Sequence, residues 1–551
     1  MSELRSSAWM ALGTIVSRIL GFAKAILLAM MIGVTTNAAD AFGVANQLPN
    51  NVYAIIVGGV LNAVLVPQLV KAYKVDADGG RDYINRLVTL AISVFTVITV
   101  IAVIAAPLLV QLYTHGWTQS QLALATAFAY WCLPQLFFYG MYSMFGEVLN
   151  SRSAFGPFMW APVLNNVVQI AGMGAYILLF GFDPTGTRAV DTWTSSQILL
   201  LAGSATLGVA SQAAILLWSW KRIGLKFAFN FNWRGVGLRP AIKAATWTLA
   251  MVLVTQAAGL VQSAVASIPA ANRDQIGQGL SYASIAAASI AWLIFMLPHS
   301  VFTVSIATAY FTKMTSHAHD NQMQQFKDDL LAGLRVIAMV SILAATGLMV
   351  LAYPVSRVFV GEYEGMIALG NVVIAFMIGL LPFSLNFFMQ KAFYAIEDTR
   401  TPFYTTVAQA ITFVSLALVV ASFSPMQFIV VNLAIATSIA AIIQTSIAMF
   451  VMRKRIGVYA VKLVRAIFKY LVSAAVAGAA GFGLLLLIGG YRESSFAVSS
   501  VLNALLASAA IAPVTAVVFF VVLILVRGAD ADRVMQGVRG SVRRIKGIVG
   551  R

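Results

Sequence analysis

Long hydrophobic runs, separated by short polar segments, follow one another along this chain from near its start to about residue 526. Fourteen of them are long enough to cross a ~30 Å hydrocarbon layer as helices that rise ~1.5 Å per residue. With 60% hydrophobic and only 10% charged residues, the composition excludes an ordinary soluble domain. The sequence therefore predicts an all-α polytopic membrane protein with about 14 transmembrane helices. The runs lie at roughly 8–33, 40–70, 87–113, 121–149, 157–182, 195–220, 240–268, 278–312, 330–353, 365–395, 403–423, 426–452, 463–489 and 499–526.

The lysines and arginines are distributed very unevenly between the segments that connect these runs. Of 36 such residues, 30 fall on the side that contains both termini. The opposite side has Arg188, Arg273, Arg357 and Arg492, and two further cations lie inside the first run. By the positive-inside rule, this split predicts that both termini are cytoplasmic. It also accounts for the net charge of +17 without a nucleic-acid partner.

Short motifs recur at nearly one offset along the chain. Leu133-Pro134 returns 248 positions later as Leu381-Pro382, and Leu48-Pro49-Asn50 returns 249 positions later as Leu297-Pro298-His299. These matches pair the fourth run with the tenth and the second with the eighth. Since six spans per copy preserve orientation, we expect two six-helix lobes related by a pseudo-two-fold axis along the membrane normal, plus two extra C-terminal helices.

This repeat predicts a domain organisation with a cavity between the two lobes. The N-lobe covers 1–222, a cytoplasmic linker covers 223–239, and the C-lobe covers 240–455. The two further helices occupy 456–527, and a basic cytoplasmic tail occupies 528–551.

Two cations interrupt the first hydrophobic run. Arg18 lies about ten residues into it, so its Cα is ~15 Å deep, where a cation costs at least ~2.5 kcal/mol. We therefore expect Arg18 to face a wet cavity or a partner, together with Lys24. Their directions on an ideal helix differ by roughly 120°, so a bend at Gly21 would be needed for both to reach one ligand.

A proline interrupts the second run. Pro49 removes one backbone hydrogen bond, and helices broken in this way occur where the backbone lines a cavity. The simpler alternative for the two runs is that Arg18 snorkels to the interface and Pro49 is a packing kink.

Motifs for catalysis and cofactor binding are missing from the sequence. The single cysteine, Cys132, excludes an internal disulfide and a cysteine metal cluster. No glycine-rich phosphate loop with a lysine and no Ser-His-Asp arrangement is present. The acids Asp40 and Glu147 have no second carboxylate nearby for acid–base chemistry. These observations predict a protein that is not an enzyme and has no cofactor. They favour a transporter whose cations suit an anionic substrate such as a diphosphate.

Several motifs, taken in order, resemble the MurJ (MviN) family of lipid II flippases. That family belongs to a superfamily that includes multidrug antiporters and polysaccharide flippases. The resemblance is carried by Arg18-Ile19-Leu20-Gly21-Phe22-Ala23-Lys24, Ala39-Asp40-Ala41-Phe42, Leu48-Pro49-Asn50, Val66-Pro67, Pro157, Ala161-Pro162-Val163-Leu164-Asn165-Asn166, the Pro298 helix with Ala307-Thr308, Phe393-Tyr394-Ala395 and Asp398-Thr399-Arg400-Thr401-Pro402.

The resemblance implies flipping of an undecaprenyl-diphosphate-linked peptidoglycan precursor, lipid II, across the bacterial cytoplasmic membrane. Arg18, Lys24 and Asn50 would bind substrate, and Asp40, Gly21, Pro49 and Pro298 would serve gating or coupling. The mechanism would be alternating access, driven by membrane potential or an ion gradient. The last two helices would form a groove for the lipid tail. The expected partners are lipid II, membrane lipids and cell-wall synthesis proteins.

Three positions depart from the family pattern. Lys24 replaces the second arginine of the first helix, no arginine follows Leu48-Pro49-Asn50, and Trp292 lies in the region of the usual arginine of the eighth helix. The smaller number of cations favours an alternative substrate, another lipid-linked oligosaccharide. A multidrug antiporter would need more cavity acids than Asp40 and Glu147. The alternative from a different class is a non-transporting scaffold for cell-wall synthesis that recruits partners through its basic tail.

Overall fold

Helices make up all the regular structure that the computed structural model describes. The described residues are 3–75, 80–152, 154–222, 227–233, 238–273, 281–457 and 461–526. Among them, 12 helical stretches are long and apolar enough to cross a membrane, or 13 if the pair Tyr363–Ile378 and Leu380–Ala395, bent by 45°, forms one span. The expected all-α polytopic fold is confirmed. The count of fourteen and the lobe symmetry remain predictions.

Contacts divide the chain into two compact units. Unit 1 consists of Met1–Ala286 and Ala421–Ile429, and unit 2 consists of Ala287–Val420 and Val430–Arg551. The boundaries of the units fall inside the helices Ile285–Pro298, Arg400–Phe423 and Ile429–Ile456, and the predicted lobe boundaries at 222 and 240 stay predictions. Residues 223–226 and 234–237 of the linker and the whole tail from 527 lie outside the described residues.

Unit 1 contains the first eleven helices and the start of the twelfth. A π-helical turn at Leu199–Gly203 connects α8 to α9. The helices are α1 (Glu3–Ile32), α2 (Asn37–Val75), α3 (Arg81–Ile104), α4 (Ala106–Tyr113), α5 (Gln119–Cys132), α6 (Gln135–Ser151), α7 (Phe155–Phe180), α8 (Ser195–Ile198), α9 (Ser204–Arg222), α10 (Leu238–Ala266), α11 (Ile268–Ala271) and α12 (Ile285–Pro298).

Unit 2 contains the rest of α12 and the ten helices that follow. A second π-helical turn, His299–Thr303, connects α12 to α13. The helices are α13 (Val304–His319), α14 (Met323–Val350), α15 (Ala352–Arg357), α16 (Tyr363–Ile378), α17 (Leu380–Ala395), α18 (Arg400–Phe423), α19 (Ile429–Ile456), α20 (Val461–Leu487), α21 (Phe496–Ser499) and α22 (Val501–Leu525).

Local sequence explains where several of these helices begin. Thr118 forms a capping box with Gln121 at the start of α5, and Thr194 forms the same motif with Gln197 at the start of α8. In each box the threonine hydroxyl and the glutamine side chain satisfy backbone N–H groups that a helix start leaves without partners.

Glycines allow α7 and α9 to pack closely in unit 1. A Cβ atom at Gly208 would lie 2.5 Å from Asn165 Oδ1, and one at Gly172 would clash with Ser204. Small residues let membrane helices approach through their backbones, where dispersion contacts replace the hydrophobic effect as the attraction. The same helix α7 packs against α1, so it holds the first span in place.

Large apolar side chains form the core of unit 2. Phe326 of α14, Phe388 of α17, Tyr470 of α20 and Phe519 of α22 are almost fully buried in one cluster. By contrast, α20 and α22 expose a series of large apolar residues on their outer sides, for example Phe468 and Val517. In a membrane protein such exposure is the expected contact with lipid.

Candidate functional site

Arg18 and Lys24 both lie on α1 with partly exposed side chains. Helix α7 contacts α1 directly before Arg18, because the Asn166 amide donates to the Ser17 carbonyl over 2.9 Å. In an α-helix this carbonyl is the acceptor position for the N–H of Gly21. The Asn166 side chain therefore competes with the Gly21 N–H for the Ser17 carbonyl, at the place where the sequence predicts a bend. The helix itself runs without interruption from Glu3 to Ile32, and the bend at Gly21 remains a prediction.

The second helix passes through Pro49 without ending. Pro49 is buried and Asn50 is exposed, and the missing proline N–H leaves the carbonyl of Ala45 without its helical donor. Close by, the Gln256 side chain of α10 donates to the Asn51 carbonyl over 2.7 Å. Asn166 of α7 and Gln256 of α10 thus play similar parts: each donates its side-chain amide to a backbone carbonyl of a neighbouring helix, near Gly21 of α1 and Pro49 of α2 respectively.

Asp40, in the first turn of α2, is a buried carboxylate with partners on both of its oxygens. Its side chain is fully buried, and Arg273 Nη2 lies 2.6 Å from Asp40 Oδ2. The Arg273 Nε donates to Asn37 Oδ1 over 2.8 Å, so the guanidinium contacts α2 at two side chains. Burial of a charge is costly unless it is paired and hydrogen-bonded, and here both conditions are met.

The other carboxylate oxygen of Asp40 binds the start of α12. The Ala286 N–H donates to Asp40 Oδ1 over 2.9 Å. The nearby Ser284 hydroxyl donates to the Ala266 carbonyl over 3.0 Å, which holds the segment before α12 against the end of α10. A carboxylate at a helix N-terminus is stabilised by the unpaired N–H groups and by the helix dipole. Asp40 with Arg273 and Ala286 is called the Asp40 clamp below. It connects the beginning of α2 to the segments before and at the beginning of α12.

Arg273 is a site residue that reasoning from the sequence missed. A signal for Arg273 was available, since it is one of only four basic residues on the predicted outer side. Its partner could not be read from the chain, because 233 positions separate Arg273 from Asp40.

In unit 2, Pro298 ends α12 and the π-helical turn follows at once. His299, the first residue of the turn, is buried, and its Nδ1 lies 3.1 Å from the Ser384 hydroxyl of α17. Its ring contacts Phe383 and Phe387 edge to face, with ring centroids 4.8 and 5.2 Å away. A π-helical turn often marks a functional position in a helix.

An aromatic cluster occupies the part of α12 where the family resemblance places an arginine. Trp292 stacks on Phe295 with ring centroids 4.9 Å apart and meets Phe376 and Phe383 edge to face. This part of α12 therefore supplies large apolar rings in place of a cation. Among the described residues, no group of three or more histidine, cysteine, aspartate or glutamate side chains could hold a metal ion.

Long apolar helices, with proline and π-helical irregularities and ionisable groups within them, together define a multi-pass membrane protein. Comparison with known proteins identifies the family. The family model described as lipid II flippase MurJ matches residues 28–506, and the chain belongs to that family.

Known relatives and solved structures agree with this assignment. The chain is 26% identical over 504 residues to a probable lipid II flippase MurJ of Vibrio cholerae, with 88% of each chain covered. It is 26% identical over 420 residues to that of Haemophilus influenzae, covering 71% of this chain and 75% of the relative.

Two solved structures show the fold. A lipid II flippase MurJ in an inward closed conformation matches with a TM-score of 0.68 at 17% identity, covering 94% of this chain and 99% of the other. An inward-facing multidrug resistance transporter of the MATE family matches with a TM-score of 0.60 at 16% identity, covering 80% and 98%.

Proposed function

We propose that this protein flips lipid II from the inner to the outer leaflet of the bacterial cytoplasmic membrane. The observation that carries the proposal is the family match over residues 28–506, which includes most of the predicted spans. The curated relatives described above are themselves named as probable lipid II flippases. The activity is transport in peptidoglycan synthesis rather than catalysis.

In this proposal, the cations of α1 bind the diphosphate of the substrate. No acidic side chain in the described part of the chain pairs with Lys24, which is partly exposed on α1. A cation held inside a span without a protein anion is suited to an anionic ligand. Arg18 supplies a bidentate fork, Lys24 supplies a compact point charge, and the exposed Asn50 of α2 adds an amide.

The Asp40 clamp serves as the outer gate. It lies at the end of α2 that the charge distribution predicts to be outer, and it connects that end to the segments flanking α12. Alternating access would open and close this connection, while the helices bend at Gly21, Pro49 and Pro298 to absorb the movement. The membrane potential or an ion gradient supplies the energy.

The decisive experiment measures lipid II on the outer leaflet of cells that depend on this protein. We expect Arg18→Ala, made at normal levels, to lower outer-leaflet lipid II about tenfold or more, because a hydrogen bond to a charged group contributes about 1.5–3 kcal/mol. Ile19→Ala is the matched control, since Ile19 is 63% exposed on the same helix and carries no charge. If depletion of the protein leaves outer-leaflet lipid II unchanged in cells without a second flippase, the substrate is wrong.

A second candidate substrate is another lipid-linked oligosaccharide. The aromatic cluster around Trp292 favours it, because this chain has rings where the family pattern has a cation. The same depletion experiment separates the two substrates: the second candidate requires normal lipid II distribution and accumulation of a different undecaprenyl-linked oligosaccharide inside. Deletion of the chain after Arg527 tests the scaffold alternative, which requires the tail, whereas a flippase would keep most of its activity.

A further inference from the structure

Aromatic residues alternate with small or polar ones in the segment that follows α9. Residues 227–233, called the aromatic strap below, contain Phe227, Phe229, Phe231 and Trp233. Each ring contacts the ring two positions away, with centroids 4.9, 6.2 and 6.1 Å apart along the series. Contacts between residues two positions apart place the four rings on one side of the segment, as in an extended chain.

Polar side chains of α3 fix the strap to unit 1. The Ala228 N–H donates to Asn85 Oδ1 over 3.2 Å, and the Asn230 N–H donates to Thr89 Oγ1 over 3.0 Å. Four helical residues rise ~6 Å, which matches the ~6.6 Å spanned by two residues of an extended chain. Alternate amides of the strap therefore meet successive turns of α3. The Asn230 side chain adds a third bond, to Asp82 Oδ1 at 2.7 Å.

The rings of the strap remain exposed in the structure. Phe229 is 63% exposed, Phe231 64% and Trp233 43%. Further along α3, Val97, Ile101 and Ile104 are exposed as well, on a helix that is apolar enough to cross a membrane. The strap thus lies beside the polar end of a helix whose remaining length has a lipid-facing apolar surface.

Basic residues surround the strap. Lys221 and Arg222, both exposed, end α9 four residues before the strap, and Arg86, one turn into α3, forms an ion pair with Asp82. In the sequence, Lys226 and Arg234 flank its two ends. These residues belong to the side that the charge distribution predicts to be cytoplasmic.

We propose that the aromatic strap binds the headgroup layer of the cytoplasmic leaflet and that its ligand is anionic phospholipid. Aromatic rings concentrate at the membrane–water interface, and neighbouring lysines and arginines attract anionic headgroups. A single extended segment does not enter hydrocarbon, because its backbone groups lack the closed hydrogen bonding of a helix or barrel. The headgroup layer satisfies the backbone and the rings together. This inference is independent of the transported substrate.

The test uses nitroxide labels on the full chain in vesicles of phosphatidylglycerol and phosphatidylethanolamine. The background is Cys132→Ala, and the two labelled variants are Phe231→Cys and Asn232→Cys, which fall on opposite sides of the strap. We expect the label at 231 to show a several-fold higher ratio of oxygen to nickel-chelate collisions than the label at 232. In phosphatidylcholine vesicles that ratio at 231 should fall, because no anionic headgroup remains to attract the flanking cations.

Three results would overturn the proposal. Equal nickel access at 231 and 232 would show that the rings face water. Protection of the label at 231 from both oxygen and the nickel chelate would show that other parts of the protein cover the rings. An equal collision ratio at 231 in both lipid mixtures would remove the role of anionic lipid. As a further check, Asn85→Leu combined with Thr89→Val removes both acceptors on α3 and should abolish the difference between the two labels while the protein stays folded.

Discussion

At the residue scale, the Asp40 clamp is a buried and fully paired charged group of unit 1. The Asp40 carboxylate receives bonds from Arg273 and from the Ala286 amide, and no part of it is exposed. The family resemblance predicted a gating or coupling role for Asp40. It could not predict the partners, since Arg273 and Ala286 come from segments more than two hundred residues away.

The stability losses from removing the two members of this buried pair should not be additive. We expect Asp40→Asn and Arg273→Gln each to lower stability by about 3–5 kcal/mol, because each leaves an uncompensated buried charge. The double variant should lose clearly less than the sum of the two single losses. Thermal unfolding in detergent measures the stabilities, and growth of dependent cells measures function.

Arg492→Gln is the control for this cycle. Arg492 is another basic residue on the predicted outer side, but it is exposed. Its replacement should change neither stability nor growth noticeably. Strictly additive losses for the Asp40 and Arg273 variants would contradict a coupled pair.

At the element scale, hydrophobic length predicted helices well and predicted their irregularities poorly. The run at 157–182 corresponds to Phe155–Phe180, and the run at 121–149 corresponds to a span at Gln119–Ser151. The π-helical turns at Leu199–Gly203 and His299–Thr303 were not expected, because one additional residue in a uniformly apolar run leaves hydropathy unchanged. The contact of α7 with α9 was equally hidden, since it depends on which glycines face a neighbour.

Two glycines of α7 offer a matched pair for testing that contact. Gly172→Ala should destabilise the protein by about 1–3 kcal/mol, because the added Cβ collides with Ser204 across the interface. Gly174→Ala places a Cβ where nothing lies within 4 Å, so it should be neutral or stabilising by up to about 1 kcal/mol through helix propensity. Thermal midpoints in detergent compare the two. Equal midpoints would mean that α7 and α9 do not pack through Gly172.

At the scale of the whole molecule, the sequence predicted a polytopic membrane protein and its family. The structure added the division of the chain into two compact units. Family membership followed from short motifs in a fixed order, such as Asp398-Thr399-Arg400-Thr401-Pro402. The substrate site was less predictable. Motifs predict that Arg18 and Lys24 bind the substrate. The direction of a side chain inside a span, however, depends on the packing of several helices.

The predicted topology can be checked with single cysteines in the Cys132→Ala background. Ser494 lies in the exposed connection between α20 and α21, and His319 is exposed at the end of α13. In intact cells, Ser494→Cys should react with a membrane-impermeant maleimide, whereas His319→Cys should react only after the membrane is broken. Reaction of both, or of His319→Cys alone, in intact cells would refute cytoplasmic termini.

The π-helical turn after Pro298 determines which side of α13 faces the core of unit 2. It contains one residue more than an α-helix needs, and each residue of an α-helix turns the chain by about 100°. Conversion of the turn to regular α-helix would therefore rotate α13 by about that angle and carry Ala307 and Met314 out of the core of unit 2. Deletion of a single residue within 299–303 would convert the turn to regular α-helix and leave the orientation of α13 unchanged. This short stretch is thus where the helix could have gained a residue by insertion, and where a deletion disturbs the packing least.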